Sequence, residues 1–336
     1  MIQLNWVFDM NKQKKRKSPV LLLSILILII AVLYSGLRIL ESTVLNKTEI
    51  LETPASSKTV ISDGVAYFPR QDITVFMILG IDELGPVKSS ESYNNTGESD
   101  VVLLAIFDEP AKSYRILALN RDTMMDVPVL GLGGKYAGTY FEQLALSHTY
   151  GTGLEDSCEN TRKAVSDFLG GIHIDYYLSM NMDAIPILND AVGGVKVTVT
   201  DSFHDVDPSI QTGEMVLHGQ QALNFVQIRK NVGSQLNISR MARQREYMKG
   251  YVEALNTKRS ASSSFVFDTY EQIAPYVVSD CSVNVLSTLV SRFSEYTMEE
   301  ILSPEGENVK GKQFMEFHAD EDALHRLVLD LFYTPK

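Results

Sequence analysis

The chain has 336 residues, 45% of them apolar, and its 30 basic and 42 acidic side chains give a formal net charge of -12. This composition excludes a disordered chain and leaves room for one large domain or two ordinary ones, each long enough to bury a hydrophobic core. The first 17 residues carry +4, so the remainder carries -16. General nucleic-acid binding is therefore disfavoured, because so acidic a surface repels phosphate backbones.

The first predicted element is a membrane anchor. The run SPVLLLSILILIIAVLYSGL, from Ser18 to Leu37, contains no charged residue, and a helix of that length spans a hydrocarbon core of about 30 Å. A buried core helix would carry a polar stripe, and a cleavable signal peptide would have a shorter apolar run followed by a small-x-small site. The sequence therefore predicts one uncleaved transmembrane helix over residues 18–38.

The charges beside this helix predict its orientation. The basic segment KQKKRK precedes the apolar run and few positive charges follow it, which places the amino terminus in the cytoplasm by the positive-inside rule. We therefore expect a single-pass protein of the cell membrane with a cytoplasmic basic tail at 1–17. Residues 39–70 are polar and rich in Ser and Thr, so they are predicted to form an extracellular stalk.

The two cysteines, Cys158 and Cys281, leave two alternatives open. Outside the cell an even pair of cysteines can be joined as a disulfide, whereas the other alternative is two unrelated buried thiols. Their spacing fits no metal-binding motif of the C-x-x-C kind.

Residues 71–336 are predicted to form one α/β domain, because strand patterns and helix patterns alternate along the segment. Apolar, β-branched runs predict strands at 73–79, 101–107, 114–119 and 195–200. Helical periodicity predicts helices at 141–150, 158–169, 182–192, 241–257, 284–297 and 320–332, with 220–225 either helical or extended. No new set of strands is predicted after residue 264, so the C-terminal helices are expected to pack on the same core.

Charged side chains concentrate where predicted strands end or helices begin, which is where open α/β sheets usually bind ligands. They are Asp82, Asp100, Arg121, Asp122, Arg229, Arg240 and Arg243. Carboxylates bind Mg²⁺ and the planar fork of arginine fits phosphate oxygens, so the set has the composition of a metal-pyrophosphate site. Each member taken singly also has an ordinary explanation as a helix cap, a turn residue or a solvated helix face.

Other catalytic motifs are absent from the sequence. It contains no nucleophile elbow, Walker loop, dinucleotide glycine fingerprint or H-E-x-x-H motif. His148 and His173 do not lie at metal-binding spacing with another His or Cys. We therefore predict that both histidines are packed or hydrogen-bonded residues.

Six motifs in a fixed order make the chain resemble a known family. They are LGID at 79–82, SDVVLL at 99–104, LNRDT at 119–123, IDYYLSMNMDAIPILNDAVGGVKVTV at 174–199, LHGQQALNFVQIR at 217–229 and SRMARQRE at 239–246. Together with the short tail and single anchor, this order resembles the LytR-CpsA-Psr family of cell-wall glycopolymer ligases over roughly residues 72–336. The resemblance implies a three-layer α/β/α sandwich with a central mixed β-sheet and an apolar cleft for a polyprenyl chain.

The resemblance also implies an activity. It is that of an extracellular phosphotransferase, assisted by Mg²⁺ or Mn²⁺, that passes an anionic glycopolymer from an undecaprenyl-pyrophosphate-linked precursor to a peptidoglycan hydroxyl, with pyrophosphatase as a side activity. By the same resemblance, Asp82 and Asp100 are the metal ligands. The implied pyrophosphate contacts are Arg121, Arg229, Arg240 and Gln244, with Arg243 in support. Teichoic acid and capsule both stay open as the polymer.

Three positions depart from the family pattern. Glu98 and Gln227 stand where the family usually has Arg, and Asn237 stands where it has Asp. The first two changes remove positive charge from the predicted pyrophosphate site and should weaken its affinity. At the catalytic position of Asn237, an amide side chain cannot act as a base.

Four functions therefore compete. The first is the phosphotransferase, and the second is a polyprenyl-pyrophosphate-binding protein of the same fold with a regulatory or accessory role in envelope assembly. The third, a membrane-bound transcriptional regulator, would need a DNA-binding domain that a 17-residue tail cannot form, and the fourth is an unrelated wall hydrolase using the carboxylates. We predict the first, with the polyprenyl-linked glycan, peptidoglycan and the membrane as partners.

Overall fold

The computed structural model describes residues 59–228, 231–232, 236–261, 265–281, 285, 289, 292–293, 296–312 and 314–336. The predicted cytoplasmic tail, the predicted transmembrane helix and most of the predicted stalk lie outside these residues. Among the helices of the described ranges, none combines the length and the apolar composition needed to cross a membrane.

The described strands and helices alternate along the chain. The strands are β1 (Val60–Ser62), β2 (Val65–Pro69), β3 (Ile73–Ile81), β4 (Ser99–Asp108), β5 (Ser113–Leu119), β6 (Met124–Leu130), β7 (Tyr136–Gln143), β8 (Tyr176–Asn181), β9 (Val195–Val199), β10 (Gly213–Leu217), β11 (Val277–Ser279), β12 (Thr297–Leu302), β13 (Gly306–Lys310), β14 (Met315–Ala319) and β15 (Tyr333–Pro335). The α-helices are α1 (Glu155–Phe168), α2 (Ala184–Ala191), α3 (Gln220–Gln227), α4 (Leu236–Ala261), α5 (Phe265–Ile273) and α6 (Glu321–Phe332). Short 3₁₀ helices cover Leu132–Gly134, Leu144–Thr149 and Ala274–Tyr276.

A six-stranded sheet of order β11-β8-β3-β4-β5-β12 lies at the centre of the domain. Strand β3 pairs antiparallel with β4 and parallel with β8, and β5 pairs antiparallel with β4 and parallel with β12. The predicted α/β class and central mixed sheet are therefore confirmed. The β3 sequence ITVFMILGI is apolar almost throughout because both faces of the strand are covered.

Each face of the sheet has its own hydrophobic core. Met77 and Leu79 of β3 pack on one face with side chains of α1 and α6, including Val165 and Leu331. The alternate residues of β3 point to the opposite face, where Phe107 stacks on Phe293 with a centroid distance of 4.0 Å. The domain is thus layered about the sheet.

A third core forms around the β9–β10 hairpin and helices α2 to α5. Helix α4 packs directly on β9, because Gly250 lets the helix backbone approach the carbonyl of Lys196. A Cβ at position 250 would lie 2.0 Å from that oxygen. This contact fixes the position of the helix that carries Arg240, Arg243 and Gln244.

Several predicted boundaries differ from the structure. The predicted helix at 141–150 is wrong: residues 141–143 finish β7 and Leu144–Thr149 form a 3₁₀ helix. Residues 60–69, assigned to the stalk, instead form β1 and β2, because β2 pairs with the C-terminal strand β15. The C-terminal region does pack on the same core, but it also contributes strands, with β11 and β12 at the two edges of the central sheet.

The two cysteines are free and buried. Cys158 lies in the core on one face of the central sheet, whereas Cys281 lies in the core on the other face. The disulfide alternative is therefore not realised, because the sheet separates the two thiols. The other alternative, two unrelated buried thiols, is the one that the structure has.

Candidate functional site

The ends of three neighbouring strands bring the predicted acidic and basic residues together. Residue Ile81 at the end of β3 pairs with Ser99 at the start of β4. One residue further, the backbone N–H of Asp82 donates to the carbonyl of Glu98 at 2.9 Å. Because β5 pairs antiparallel with β4 and ends at Leu119, the turn that follows it lies at the same edge of the sheet. That turn contains Arg121.

Arg121 is surrounded by three carboxylates. Its Nη2 lies 2.9 Å from Oε2 of Glu98, its Nη1 forms an ion pair with Oδ1 of Asp100, and its Nε lies 3.5 Å from Oδ1 of Asp122. Glu98 is the most exposed of the three, with 38% of its side chain accessible against 14% for Asp100. Asp100 and Arg121, both singled out in the sequence as candidate site residues, are thus in direct contact.

The turn carrying Arg121 is held by a network of hydrogen bonds. The side chain of Asn120 accepts from the N–H of Asp122 at 3.0 Å, and the Thr123 hydroxyl donates to the Asn120 carbonyl at 2.6 Å. The amide of Gln143 at the end of β7 donates to the Asp122 carboxylate at 3.1 Å. These bonds fix the direction in which the Arg121 side chain leaves the backbone.

Hydrogen bonds of Asn95 and His148 hold the segment that precedes β4. The Asn95 amide donates to the carbonyls of His148 at 2.9 Å and Gly151 at 3.0 Å. The buried His148 ring bonds through Nδ1 to the carbonyl of Gly97 at 2.8 Å, so the ring nitrogen donates and positions the residue before Glu98. Burial lowers the pKa of His148 below its ordinary value.

The sequence prediction for His148, a packed and hydrogen-bonded residue, is confirmed. The sequence did not predict that His148 bonds to the carbonyl of Gly97, nor that Asn95 holds the same segment. The only signal in the sequence was the polar SYNNTG stretch immediately before the predicted strand, which indicated a turn but no partner.

Helix α4 carries the second group of predicted residues. The Arg243 side chain is only 3% exposed and forms an ion pair of 2.6 Å between Nη1 and Oδ2 of Asp201. Its Nε donates to the carbonyl of Phe225 at 2.8 Å and its Nη2 to that of Ile228. The guanidinium of Arg243 is thus used within the protein, and it ties α4 to the end of α3.

The other members of this group differ in exposure. The Gln244 amide donates to the carbonyl of Val226 at 3.1 Å, and Arg240 on the same helix is half-buried. Arg229 lies outside the described residues, as does the side chain of Asn237. Gln227 is half-buried at the end of α3.

Asp82 and Asp100 at the sheet edge could bind a metal ion if a substrate supplied the other ligands. No group of three or more His, Cys, Asp or Glu side chains within the described ranges has the arrangement of a metal site. Asp82 is exposed and Asp100 half-buried. Mg²⁺ in nucleotide and phosphate sites is commonly held by one or two carboxylates plus phosphate oxygens and water, which is the ligand set that these two aspartates could complete.

The chain matches the model of the LytR_cpsA_psr family over residues 39–328. It is 24% identical over 288 residues to the polyisoprenyl-teichoic acid–peptidoglycan teichoic acid transferase TagU of Oceanobacillus iheyensis, which covers 84% of this chain and 83% of that protein. The TagU protein of Bacillus licheniformis is 24% identical over 333 residues, covering 96% and 98%.

Solved structures share the fold. TagV of B. subtilis superposes with a TM-score of 0.55 at 22% identity, covering 78% of this chain and 96% of that one. The structure of TagT bound to LI-WTA gives a TM-score of 0.53 at 21% identity, covering 78% and 90%.

Proposed function

The chain belongs to the LytR_cpsA_psr family, and from that membership we propose that it transfers an anionic glycopolymer from an undecaprenyl-pyrophosphate-linked precursor to a peptidoglycan hydroxyl. The observation that carries the proposal is the position of Arg121, which stands at the edge of the central sheet between Glu98 and Asp100. The TagU relatives are named as teichoic acid transferases acting on peptidoglycan, so teichoic acid is the polymer we favour.

The proposed reaction is a phosphoryl-group transfer. The acceptor oxygen forms a bond to the phosphorus that bears the glycan, the bond from that phosphorus to the bridging oxygen breaks, and polyprenyl phosphate leaves. Negative charge grows on the phosphate oxygens during this step, so catalysis depends on cations positioned beforehand. With water as the acceptor, the same step would be the pyrophosphatase side activity.

Arg121 is the residue that we propose binds the pyrophosphate. Its guanidinium is preorganised by Asp100 and by the turn through Asp122. Glu98 is its most exposed partner, and an exposed ion pair is worth only about 0.2–1 kcal/mol. A pyrophosphate oxygen can therefore replace Glu98 at Nη2 while Asp100 keeps its contact at Nη1.

Asp82 and Asp100 are the residues that would hold Mg²⁺ or Mn²⁺, which when bound with the substrate would supply positive charge to the pyrophosphate. Within the described ranges, the Asp82 carboxylate takes part in no hydrogen bond or ion pair. Asp82 can therefore bind a ligand without losing a partner among the residues that the structure describes.

Arg243 supports the site indirectly in this proposal. It holds the carbonyl of Ile228, the residue immediately before Arg229, and that of Phe225. We assign it the positioning of the segment that leads to Arg229. Arg229, Arg240 and Gln244 remain the proposed pyrophosphate contacts, and Asn237 remains the residue at the catalytic position.

A second function, binding of polyprenyl pyrophosphate without turnover, is favoured by a specific observation. At position 98, where the family usually has an arginine, this chain has Glu98. The Glu98 carboxylate accepts a hydrogen bond from the Arg121 guanidinium. The acceptor proton also needs a base, and Asn237 cannot be one. Either function places the domain outside the membrane, with the run from Ser18 to Leu37 as its anchor.

The experiment uses the full-length protein in detergent with a polyprenyl-pyrophosphate-linked anionic glycan and purified peptidoglycan. We expect wild type to form the covalently linked product and Arg121→Ala to lose it, because one charge-assisted contact that strengthens in the transition state is worth about 1.5–3 kcal/mol or more. Arg115→Ala is the matched control, since Arg115 lies on β5 and pairs with Asp330 away from the site. Wild type that binds undecaprenyl pyrophosphate but forms no product would establish the second function instead.

A further inference from the structure

Two hairpins next to the Arg121 turn expose large apolar side chains to solvent. On β7, Tyr136 is 67% and Phe141 62% exposed, and Phe314 beside β14 is 67% exposed. A contiguous patch of exposed apolar side chains often marks a binding site, whereas a single exposed apolar side chain does not. Nothing in the proposed reaction as described above uses these residues.

The β7 residues of interest lie on one face of the β6–β7 hairpin. Side chains two apart on a strand point the same way, so Thr139, Phe141 and Gln143 share a face. The Tyr136 hydroxyl lies 2.7 Å from that of Thr139, which places Tyr136 on the same face. We call the surface formed by Tyr136, Thr139 and Phe141 the aromatic face.

The aromatic face leads directly to the Arg121 turn. Gln143, next on the same face of β7, donates to the carboxylate of Asp122 at 3.1 Å and to the carbonyl of Met315 at 2.7 Å. The N–H of Phe317 on β14 donates to the carbonyl of Asp122 at 2.8 Å. The two hairpins therefore meet at the residue that follows Arg121.

The length of the face suits an extended ligand. At about 3.3 Å per residue, the path along β7 from Tyr136 to Gln143 measures about 23 Å. A ligand lying along it would reach from the hairpin turn to the edge of the pyrophosphate site.

The polar side chains around the face suit a hydroxyl-bearing ligand. Asp126 is exposed and lies directly across from Phe141 on β6, whereas Asp122, Glu98 and Asp100 at the end of the face are paired with Arg121. Lys135, next to Tyr136, is exposed as well, and carboxylates accept hydrogen bonds from sugar hydroxyl groups that ammonium groups can donate to. The apolar C–H side of a pyranose ring packs on the electron-rich face of an aromatic ring while its hydroxyls stay in water.

We propose that the aromatic face binds the glycan backbone of peptidoglycan, with sugar rings on Tyr136 and Phe141. The inference rests on the proposed function, because the transfer needs the acceptor hydroxyl beside the Arg121-bound pyrophosphate. In this arrangement the face holds the acceptor glycan and Arg121 holds the pyrophosphate of the donor.

The test measures co-sedimentation of the full-length protein, in detergent, with purified sacculi stripped of teichoic acid. We expect the double variant Tyr136→Ala/Phe141→Ala to bind sacculi about 5- to 150-fold more weakly, since it loses two aromatic contacts that are each worth about 0.5–1.5 kcal/mol. Phe68→Ala is the matched control: Phe68 is a partly exposed aromatic on β2, in the separate β1-β2-β15 sheet. Phe141→Trp should retain binding, because it keeps a flat ring at the same place.

Affinity for undecaprenyl pyrophosphate, measured on the same variants, should not change. Sacculus binding that is unaffected in the double variant would overturn the inference, and so would an equal loss in Phe68→Ala. A variant that loses self-association instead of sacculus binding would show that the face binds a second copy of the chain. If wild type forms no transfer product but sacculus binding still depends on Tyr136 and Phe141, the transferase proposal fails and the glycan surface stands.

Discussion

Glu98 and Arg121 form an ion pair of 2.9 Å between Oε2 and Nη2 at the edge of the central sheet. The acidic side chain therefore neutralises part of the charge that the site offers to a pyrophosphate. At the same time it keeps the Arg121 side chain in one orientation when no substrate is bound. These two effects oppose each other in their influence on substrate affinity.

Removing the charge of Glu98 should raise affinity for undecaprenyl pyrophosphate. We expect Glu98→Gln to bind about 1.4- to fivefold more tightly, because the pair that the ligand must replace is worth about 0.2–1 kcal/mol. Glu98→Arg should bind more tightly still, and titration calorimetry of the full-length protein measures both. Glu109→Gln is the control, since Glu109 pairs with Arg292 in another part of the structure. Weaker binding in Glu98→Gln would mean that orientation of Arg121 outweighs its neutralisation.

Replacing either proposed metal ligand should weaken binding of the ion. In the presence of undecaprenyl pyrophosphate, Asp82→Ala and Asp100→Ala are each expected to bind Mn²⁺ at least about tenfold more weakly, because one of the few protein ligands is lost. Electron paramagnetic resonance of free Mn²⁺ gives the affinity. Asp167→Ala, at an exposed pair with Lys163, is the control. Unchanged affinity in both variants would remove the two aspartates from the site.

Arg243 should contribute to the stability of the fold and should not contact the substrate directly. We expect Arg243→Met to lower the free energy of unfolding by about 3 kcal/mol or more, because it leaves Asp201 and two carbonyls without their buried partner. Urea denaturation measures the change, and the exposed Arg326→Met should stay within about 0.5 kcal/mol of wild type. Full stability with loss of pyrophosphate affinity would instead make Arg243 a direct contact.

Stability should fall on mild acidification through His148. Burial lowers the pKa of the folded-state imidazole, against the weaker opposite effects of the hydrogen bond to Gly97 and of the charges of Asp156 and Glu83, so below about pH 6.5 the unfolded chain binds the proton more readily. The contribution of neutral His148 to the stability of the folded state is therefore complete above that pH and is lost as the pH falls toward the folded-state pKa.

Urea midpoints between pH 7 and pH 5 measure this effect as a difference between wild type and His148→Gln. Burial raises the pKa of Asp175 and Asp280. Their contribution to the free energy of unfolding therefore declines as the pH rises. Both variants contain these aspartates, so their effect cancels in the comparison. His204→Gln, at an exposed site, should retain the wild-type pH dependence. An equally steep dependence in His148→Gln would assign the acid sensitivity to other groups.

The position of the site residues at strand ends could be predicted from the sequence, but their convergence could not. The apolar runs that became β3, β4 and β5 place Asp82, Asp100 and Arg121 at strand ends, and the observed antiparallel pairing brings those ends to one edge of the sheet. Glu98 could be placed in the same region, but its contact with Arg121 depends on side-chain direction, which spacing does not give.

The part built on helix faces and hairpins could not be predicted in the same way. Arg240 and Arg243 share a helix face by spacing, yet only packing on β9 decides that Arg243 is buried against Asp201. The β6 sequence MMDVPVL contains a proline and the following turn is glycine-rich, so no strand was predicted there. The end of β7, from Phe141, was assigned to a helix because its apolar residues continue into Leu144 with helical spacing.

The pairing of β15 with β2 has a mechanical consequence. The N–H of Lys336, the last residue, donates to the carbonyl of Ala66 at 3.0 Å, so the C-terminus lies against the first hairpin of the described chain. A pull on the chain ahead of β1 would first load the β1–β2 hairpin, which β15 reinforces from its other side. The small sheet would therefore resist such a pull before it reached β3, the strand that leads to Asp82.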